Sequence, residues 1–94
     1  MPAMHYTLRW PDQTETTCYS PSLVIHDFFA PGTAYALADF LPRIREATRI
    51  ASDRVEAKFG FACSRAHDQL AEIERHAARF DPGAPVEMLA FAAA

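Results

Sequence analysis

The chain has 94 residues, of which 50% are hydrophobic and 22% are charged, and its formal net charge is −3. A chain of this length predicts one compact domain spanning residues 1–94, because it is too short to build two independent hydrophobic cores. The acidic balance disfavours nucleic acid as a partner, since phosphate contacts need a basic surface, and no segment reaches the ~20 apolar residues of a membrane helix.

The N-terminal residues and the cysteines bear on the cellular compartment. Residues 1–5 lack the basic start and the apolar block of a secretory signal peptide, so we expect a cytoplasmic protein. Cys18 and Cys63 are then expected to be free thiols, because cytosolic redox buffers keep most disulfides reduced.

The first predicted element is a β-hairpin. Apolar and polar residues alternate from Met4 to Trp10, which places the large apolar side chains on one face of a strand. A turn at residues 11–13, with Gln13 in the left-handed conformation, would pair Trp10 with Thr14.

This pairing decides which way the second strand faces. Counting back from Trp10 puts Cys18 opposite Tyr6 and turns its side chain inward, while Tyr19 points outward. We therefore interpret Cys18 as a small buried hydrophobic residue rather than a reactive thiol. A loop longer or shorter by one residue would reverse the assignment.

A short connector follows the hairpin. Pro21 ends the second strand because proline has no amide hydrogen for the ladder, and residues 30–33 form a turn. Between them, Leu23–Phe29 suits either a short helix or an extended segment. His26 has no partner at a ligand spacing, so we interpret it as a surface or hydrogen-bonded histidine.

The best-supported element is a long helix that ends at Gly60. Asp39 is the predicted N-cap, which would place Pro42 in the first turn, where its missing amide hydrogen costs little. Apolar residues recur at steps of three and four along one face of this helix: Phe40, Ile44, Ala47, Ala51, Val55 and Phe59.

The other faces of this helix mix basic and acidic residues. Helical spacing pairs Arg49 with Asp53 and Arg43 with Glu46. The mixed signs argue against a coherent anion-binding strip. Arg54 borders the apolar stripe and is the arginine that we expect in a polar contact.

A third helix and a final strand complete the chain. Ser64 is the predicted cap of the helix, and residues 60–63 would join the two helices as a hairpin. After a turn at residues 81–85, a strand carries apolar residues on both faces. It is therefore central in the sheet, or its outer residues Leu89 and Phe91 meet a partner. The inward residues of the third helix are Ala66, Leu70, Ile73, Ala77 and Phe80.

Together these elements predict an α+β fold. It contains an N-terminal β-hairpin, a short connector, a two-helix hairpin and a C-terminal strand. The strands form a small antiparallel or mixed sheet, and the helices pack on one of its faces.

Cys63 is the best candidate for chemistry. It stands at a helix start, where the dipole weakly favours an anion, and His67 lies four residues later. A cysteine and a histidine are the minimum for a nucleophile, but the sequence shows no third group and no oxyanion site. A metal site would combine Cys63 and His67 with Cys18 and His26, but only Cys63 and His67 are spaced like metal ligands. Tetrahedral zinc sites normally show two closely spaced ligand pairs, so we expect no metal and no cofactor. His5 and His76 fit surface positions.

Three segments carry a resemblance to a known family: Arg9–Asp12, Cys18–Ser22 and Ala51–Ser64. In this spacing the chain resembles a family of small bacterial nitrogen-starvation-response proteins, and the resemblance covers most of its length. It implies a gene cluster with a nitrilase, a radical SAM protein, an acetyltransferase-like protein and a flavoprotein, linked to nitrile or cyanide nitrogen use. It implies no catalytic residues, since the family has no established biochemical function.

We therefore expect a small cytoplasmic accessory or regulatory protein, rather than an enzyme, that acts by protein–protein interaction. The partner would be an enzyme of the same gene cluster, and a homo-oligomer stays open. The alternative is a thiol-dependent small enzyme or small-molecule binder that uses Cys63 with His67. Residues that would form the interaction surface are Cys18, Tyr19, Arg54, Leu89 and Phe91.

Overall fold

The computed structural model describes residues 3–94, so two of the five N-terminal residues considered for a signal peptide lie outside the described part. The elements in chain order are strands β1 (Met4–Arg9) and β2 (Glu15–Ser20), helix α1 (Ile25–Phe28), strand β3 (Thr33–Ala36), helices α2 (Leu37–Phe59) and α3 (Ser64–Ala77), and strand β4 (Pro85–Ala93). The strands form one antiparallel sheet in the order β2-β1-β4-β3. The predicted α+β fold is confirmed, with β4 in a central position.

The N-terminal hairpin has the predicted register. The Trp10 amide donates to the Thr14 carbonyl at 2.8 Å, and Gln13 adopts the left-handed conformation with φ of 71°. Tyr6 pairs with Cys18, and both side chains are buried. The three-residue turn therefore sets which face of β2 enters the core.

Strand β3 is an element that the sequence pattern does not predict. It is four residues long and pairs Thr33 with Met88 and Ala36 with Pro85. Three of its four side chains are exposed and two of them are alanine, so it has no apolar alternation to reveal it. Gly32, at φ of 79°, turns the chain into the strand, as the predicted turn requires.

The start of α2 differs from the prediction. The helix begins at Leu37, so Asp39 lies in its first turn rather than at the N-cap, and Pro42 lies beyond that turn. The N-cap residue, Ala36, makes no side-chain hydrogen bond to the helix end. Instead, the amides of Leu37 and Ala38 donate to the carbonyls of Ala84 and Pro82, at 3.0 and 2.9 Å. Backbone from the segment before β4 thus satisfies the helix end that Asp39 was expected to cap.

The helical hairpin is confirmed, with one shifted cap. Gly60 ends α2 in the left-handed conformation, at φ of 82°, and its amide donates to the Glu56 carbonyl at 2.8 Å. Ser64 is the first residue of α3 rather than its cap. Cys63 holds the cap position, and its carbonyl accepts from the amides of Ala66 and His67.

The hydrophobic core lies between the sheet and the helices, and Trp10 is its largest buried side chain. The indole N–H donates to Thr16 Oγ1 at 3.0 Å, while the ring stacks on His76 with 4.8 Å between centroids. His76 is therefore half-buried, where a surface position was expected. The core cluster comprises Met4, Tyr6, Leu8, Trp10, Cys18, Ile25, Phe29, Leu37, Phe40, Ile44, Ala47, Ile73, Ala77, Val86 and Met88.

A β-bulge changes the facing of the second half of β4. The β1–β4 register passes from Leu8–Met88 to Thr7–Ala90, which leaves Leu89 as an extra residue. Phe91 consequently pairs with Tyr6 and packs against the core. The prediction that Phe91 faces outward with Leu89 is wrong, because one inserted residue reverses every later side chain of a strand.

Candidate functional site

Helix α2 is longer than the core that it covers. Its buried residues run from Leu37 to Ser52 and then stop. Val55 is half-buried, and Phe59 is 54% exposed. The predicted inward stripe is thus correct as far as Ala51, while its last member, Phe59, faces solvent.

The end of this helix and the turn after it form an aromatic surface, which we call the hairpin tip (residues 58–61). Phe59 and Phe61 are 54% and 66% exposed, and their rings are 6.3 Å apart. The Lys58 ammonium lies 5.6 Å from the centre of the Phe59 ring. Among residues 3–94 one other large hydrophobic side chain is exposed, Leu23 at 47%. Exposed aromatic rings next to each other are typical of recognition surfaces.

Cys63 and His67 are not brought together as a catalytic pair. Cys63 is a half-buried free thiol at the helix start, as the sequence predicts. The His67 ring instead meets α2, with its Nε2 3.1 Å from Ser52 Oγ. In the described part of the chain no carboxylate hydrogen-bonds the His67 ring, so neither the Cys63–His67 pair nor a triad is assembled.

The Ser52–His67 contact lies in a cleft of about 290 Å³ between α2 and α3. Ser52 is 3% exposed and sits one helical turn after Thr48, which is also buried. The arginines at the cleft are neutralised, since Arg49 pairs with Asp53 at 2.8 Å and Arg45 pairs with Glu74 at 2.9 Å. Within the described part of the chain, the cleft thus has no unpaired arginine for an anionic ligand. Two small polar residues four apart on the buried face of α2 were the available sequence signal for this helix–helix contact.

The charged face of α2 is only partly as predicted. The Arg49–Asp53 pair is confirmed, but Arg43 pairs with Asp39 at 3.1 Å, and Glu46 pairs with Arg49. The hydrogen bond from Arg49 lowers the pKa of the Glu46 carboxyl. These pairs lie at the solvent surface, where each contributes only a few tenths of a kcal/mol.

Arg54 makes the polar contact expected of it. Its Nη1 donates to Ser22 Oγ at 2.9 Å, and the same hydroxyl accepts from the Val24 amide at 3.3 Å. Arg54 thus ties α2 to the connector after β2. This contact gives the arginine a structural role in the fold.

Tyr19 lies where β2 meets α3. The Arg65 guanidinium lies 3.7 Å from the centre of its ring, and the Tyr19 amide donates to Gln69 Oε1 at 3.1 Å. Gln69 Nε2 is buried without a hydrogen-bond partner in the described part of the chain. Helix α3 therefore covers part of the outer edge of β2.

Cys18 is a core residue. It is 2% exposed, and burial raises the pKa of its thiol to about 12. Its sulfur lies 3.8 Å from Thr16 Oγ1. Both cysteines are free, and residues 3–94 contain no cluster of three or more histidine, cysteine or carboxylate side chains that could hold a metal ion.

The residues expected to share one interaction surface are thus distributed over the molecule. Cys18 is in the core, and Arg54 binds the connector. Tyr19 is covered by Arg65, while Leu89 is the extra residue of the bulge and Phe91 packs against the core. The hairpin tip is the surface that sequence reasoning missed, because its phenylalanines continue an apolar pattern that is buried earlier in α2.

A protein-family model described as nitrogen starvation-induced protein NitG matches residues 5–91. No curated protein and no solved structure matches the chain. No helix in the described range 3–94 is long and apolar enough to cross a membrane. The family match covers most of the sheet, and it includes the helical hairpin and its tip.

Proposed function

The chain belongs to the family of nitrogen starvation-induced protein NitG, and from this membership we propose that it is a cytoplasmic accessory protein of the nitrogen-starvation response. It acts by binding another protein through the hairpin tip. The resemblance to proteins encoded beside a nitrilase suggests the partner class, an enzyme of nitrile or cyanide nitrogen use.

The observation that carries the proposal is the exposure of Phe59 and Phe61. Both rings lie on the surface at 54% and 66% exposure, and Gly60 fixes the turn between them. Leaving two neighbouring aromatic rings in water forgoes the stabilisation that burial of each would give, about 1.5–3 kcal/mol. A partner that covers them recovers this free energy at the interface, where aromatic residues contribute most.

The chemistry of the tip also describes the surface that would bind it. Lys58 lies at the Phe59 ring and is itself exposed. An apolar pocket with a carboxylate at its rim would take both rings and pair with the ammonium. Nucleic acid is disfavoured, because the formal charge of the chain is −3.

Co-purification with the enzymes encoded in the expected gene cluster, such as the nitrilase, tests the proposal. We expect the wild-type chain to retain at least one of them at micromolar concentration. The double substitution Phe59→Ser with Phe61→Ser should abolish retention while the thermal unfolding midpoint changes little, since neither ring supports the core. Leu23→Ser is the matched control for the tip, because it removes an exposed apolar side chain from a different surface, the groove beside β4.

Two results would contradict the proposal. One is that no cluster enzyme binds the wild-type chain. The other is that the enzyme binds the double variant as tightly as the wild type. A third substitution, Cys63→Ala, separates the thiol alternative: binding should persist, whereas a thiol-dependent enzyme would lose its activity.

A further inference from the structure

One edge of β4 is unpaired over half of its length. On one side the strand pairs with β1 along Glu87–Ala93. On the other side β3 reaches only Pro85–Met88. Among the described residues 3–94, the remainder of the strand, Leu89–Ala93, therefore has a neighbouring strand on one side only, and we call it the free edge.

The hydrogen-bond pattern identifies which backbone groups point away from β1. The Ala94 amide donates to the Ala3 carbonyl at 3.3 Å. Because antiparallel pairs alternate between bonded and non-bonded residues, Ala92 and Ala90 also bond to β1. The amides and carbonyls of Phe91 and Ala93 consequently face the open side.

A bulge at Leu89 interrupts the start of the free edge, but the rest of the edge carries no charge or proline that would block pairing with a further strand. Residues 89–94 contain no charged residue, proline or glycine. At the opposite end of the sheet, β2 carries the charged Glu15, and Gln69 accepts from the Tyr19 amide. Strand β3 is only four residues long. Unprotected edges of this kind are templates for pairing with a further strand.

From this contrast we propose that the free edge is a homodimer interface, at which β4 of one copy pairs antiparallel with β4 of a second copy. Pairing Phe91 with the partner's Ala93, and Ala93 with the partner's Phe91, places the two-fold axis at Ala92. Each of these pairs exchanges two N–H···O bonds, and the two four-stranded sheets become one continuous sheet.

A second copy fits this edge because the edge is self-complementary. A two-fold axis presents the same unpaired groups to each other, as an isologous interface requires. The segment carries no charge, so the acidic balance of the chain does not oppose contact there. Beside it lies a groove of about 310 Å³ whose lining includes the half-exposed Leu23 and Phe91, which the partner strand would cover.

The side chains around the groove support an ordered edge. His26 on α1 packs against Phe91 with 4.3 Å between ring centres. This contact holds the free edge against the helix layer in a single chain. The partner strand therefore meets a preformed template, and little of the interface has to be ordered on association.

Ala93→Pro tests the proposal directly. Proline removes the amide that points to the open side, while Ala92 and Ala94 keep theirs for β1. Ala93→Ser is the matched control, because it keeps that amide. We expect the wild type and Ala93→Ser to show twice the monomer mass of 10.5 kDa by light scattering. Ala93→Pro should raise the dimer dissociation constant by about tenfold or more, because each copy loses a donor at the interface.

Amide hydrogen exchange gives a second measurement that needs no substitution. In the dimer, the amides of Phe91 and Ala93 should exchange slowly and become fast on dilution, while those of Ala90 and Ala92 stay protected at all concentrations. This result keeps the proposal testable if Ala93→Pro fails to fold.

Three results would overturn the proposal: a wild-type chain that is monomeric up to millimolar concentration, a dimer that Ala93→Pro leaves intact, or an extended peptide of another protein bound at this edge of a monomeric chain. The test is independent of the proposed function. The Phe59→Ser and Phe61→Ser double variant should stay dimeric, because the hairpin tip takes no part in this edge.

Discussion

Replacing Cys18 with alanine should make the protein less sensitive to alkaline pH. The thiol is 2% exposed, and burial raises its pKa from an ordinary value of 9.0 to about 12. In the unfolded chain the thiol ionises near its ordinary value, whereas the folded chain keeps it protonated. The contribution of Cys18 to the free energy of unfolding is therefore at its full value below pH 9. It falls as the pH rises toward 12, because the unfolded state then binds fewer protons than the folded state.

The interval between the two pKa values sets the size of this effect. One pKa unit corresponds to about 1.4 kcal/mol, so Cys18 alone should remove about 4 kcal/mol of unfolding free energy between pH 9 and pH 12. That is a large part of the ~5–15 kcal/mol that a small domain has in total. Burial also raises the pKa of Tyr6 well above 10.0, which adds a further loss at the upper end of the range.

Urea unfolding followed by the fluorescence of Trp10, the single tryptophan, measures the effect. The experiment runs from pH 8 to pH 11 in the presence of a reductant. Cys18→Ala should be less stable than the wild type at pH 8, because it leaves a small cavity, but its stability should fall less steeply above pH 9. Cys63→Ala, the matched control, should keep the wild-type slope. Equal slopes for the wild type and Cys18→Ala would refute the reasoning.

Three further substitutions test the turns and the core. Gln13→Gly should stabilise the hairpin by about 0.5–1 kcal/mol, because φ of 71° strains a residue with a side chain; a loss of stability in urea unfolding would contradict this. Gly60→Ala should lower the free energy of unfolding by about 1 kcal/mol, because φ of 82° strains a residue with a side chain there too. No atom lies within 4 Å of the added carbon, so a steric clash adds nothing, and an unchanged unfolding midpoint would contradict the prediction. Trp10→Phe should destabilise the protein by about 1–3 kcal/mol in thermal unfolding, because it empties part of the core and leaves Thr16 Oγ1 without the indole donor. An unchanged stability would show that the hydrogen bond at 3.0 Å contributes nothing.

The elements predicted correctly from the sequence are those that local patterns specify. The hairpin register follows from one turn, in which Pro11 and Asp12 precede a left-handed Gln13. The end of α2 follows from Gly60. In each case a few neighbouring residues restrict the backbone to one conformation, so no knowledge of distant contacts is needed.

The wrong predictions that change the fold depend on contacts between distant segments, whereas local errors such as the cap at Ser64 shift an element by one residue. Asp39 is a good N-cap in isolation, but backbone carbonyls from the segment before β4 cap α2 earlier, at Leu37. Strand β3 exists because β4 offers it an edge, not because its own residues alternate. The bulge at Leu89 depends on how β4 meets β1, and it moves Phe91 to the core side.

The candidate site was only partly predictable for the same reason. The spacing in the sequence predicts that His67 lies one helical turn after Cys63, yet it could not show that Ser52 on α2 would contact the histidine ring instead. The inward pattern of α2 likewise continues to Phe59 in the sequence, although the core that it should cover ends at Ser52. How far a helix outruns its core depends on the size of the sheet beneath it.

The segment that extends beyond the core, residues 53–63, argues for recognition at the hairpin tip, and we call it the overhang. No side chain among residues 53–63 is fully buried. Fixing the backbone of each residue costs about 1–2 kcal/mol, and surface ion pairs such as Arg49–Asp53 offset only a small part of this. The overhang should therefore be the least protected helical segment in hydrogen exchange when the chain is alone. A partner that buries Phe59 and Phe61 should raise the hydrogen-exchange protection of the overhang. The Leu23→Ser variant should show the same rise when the partner is added, whereas the Phe59→Ser and Phe61→Ser double variant should show none.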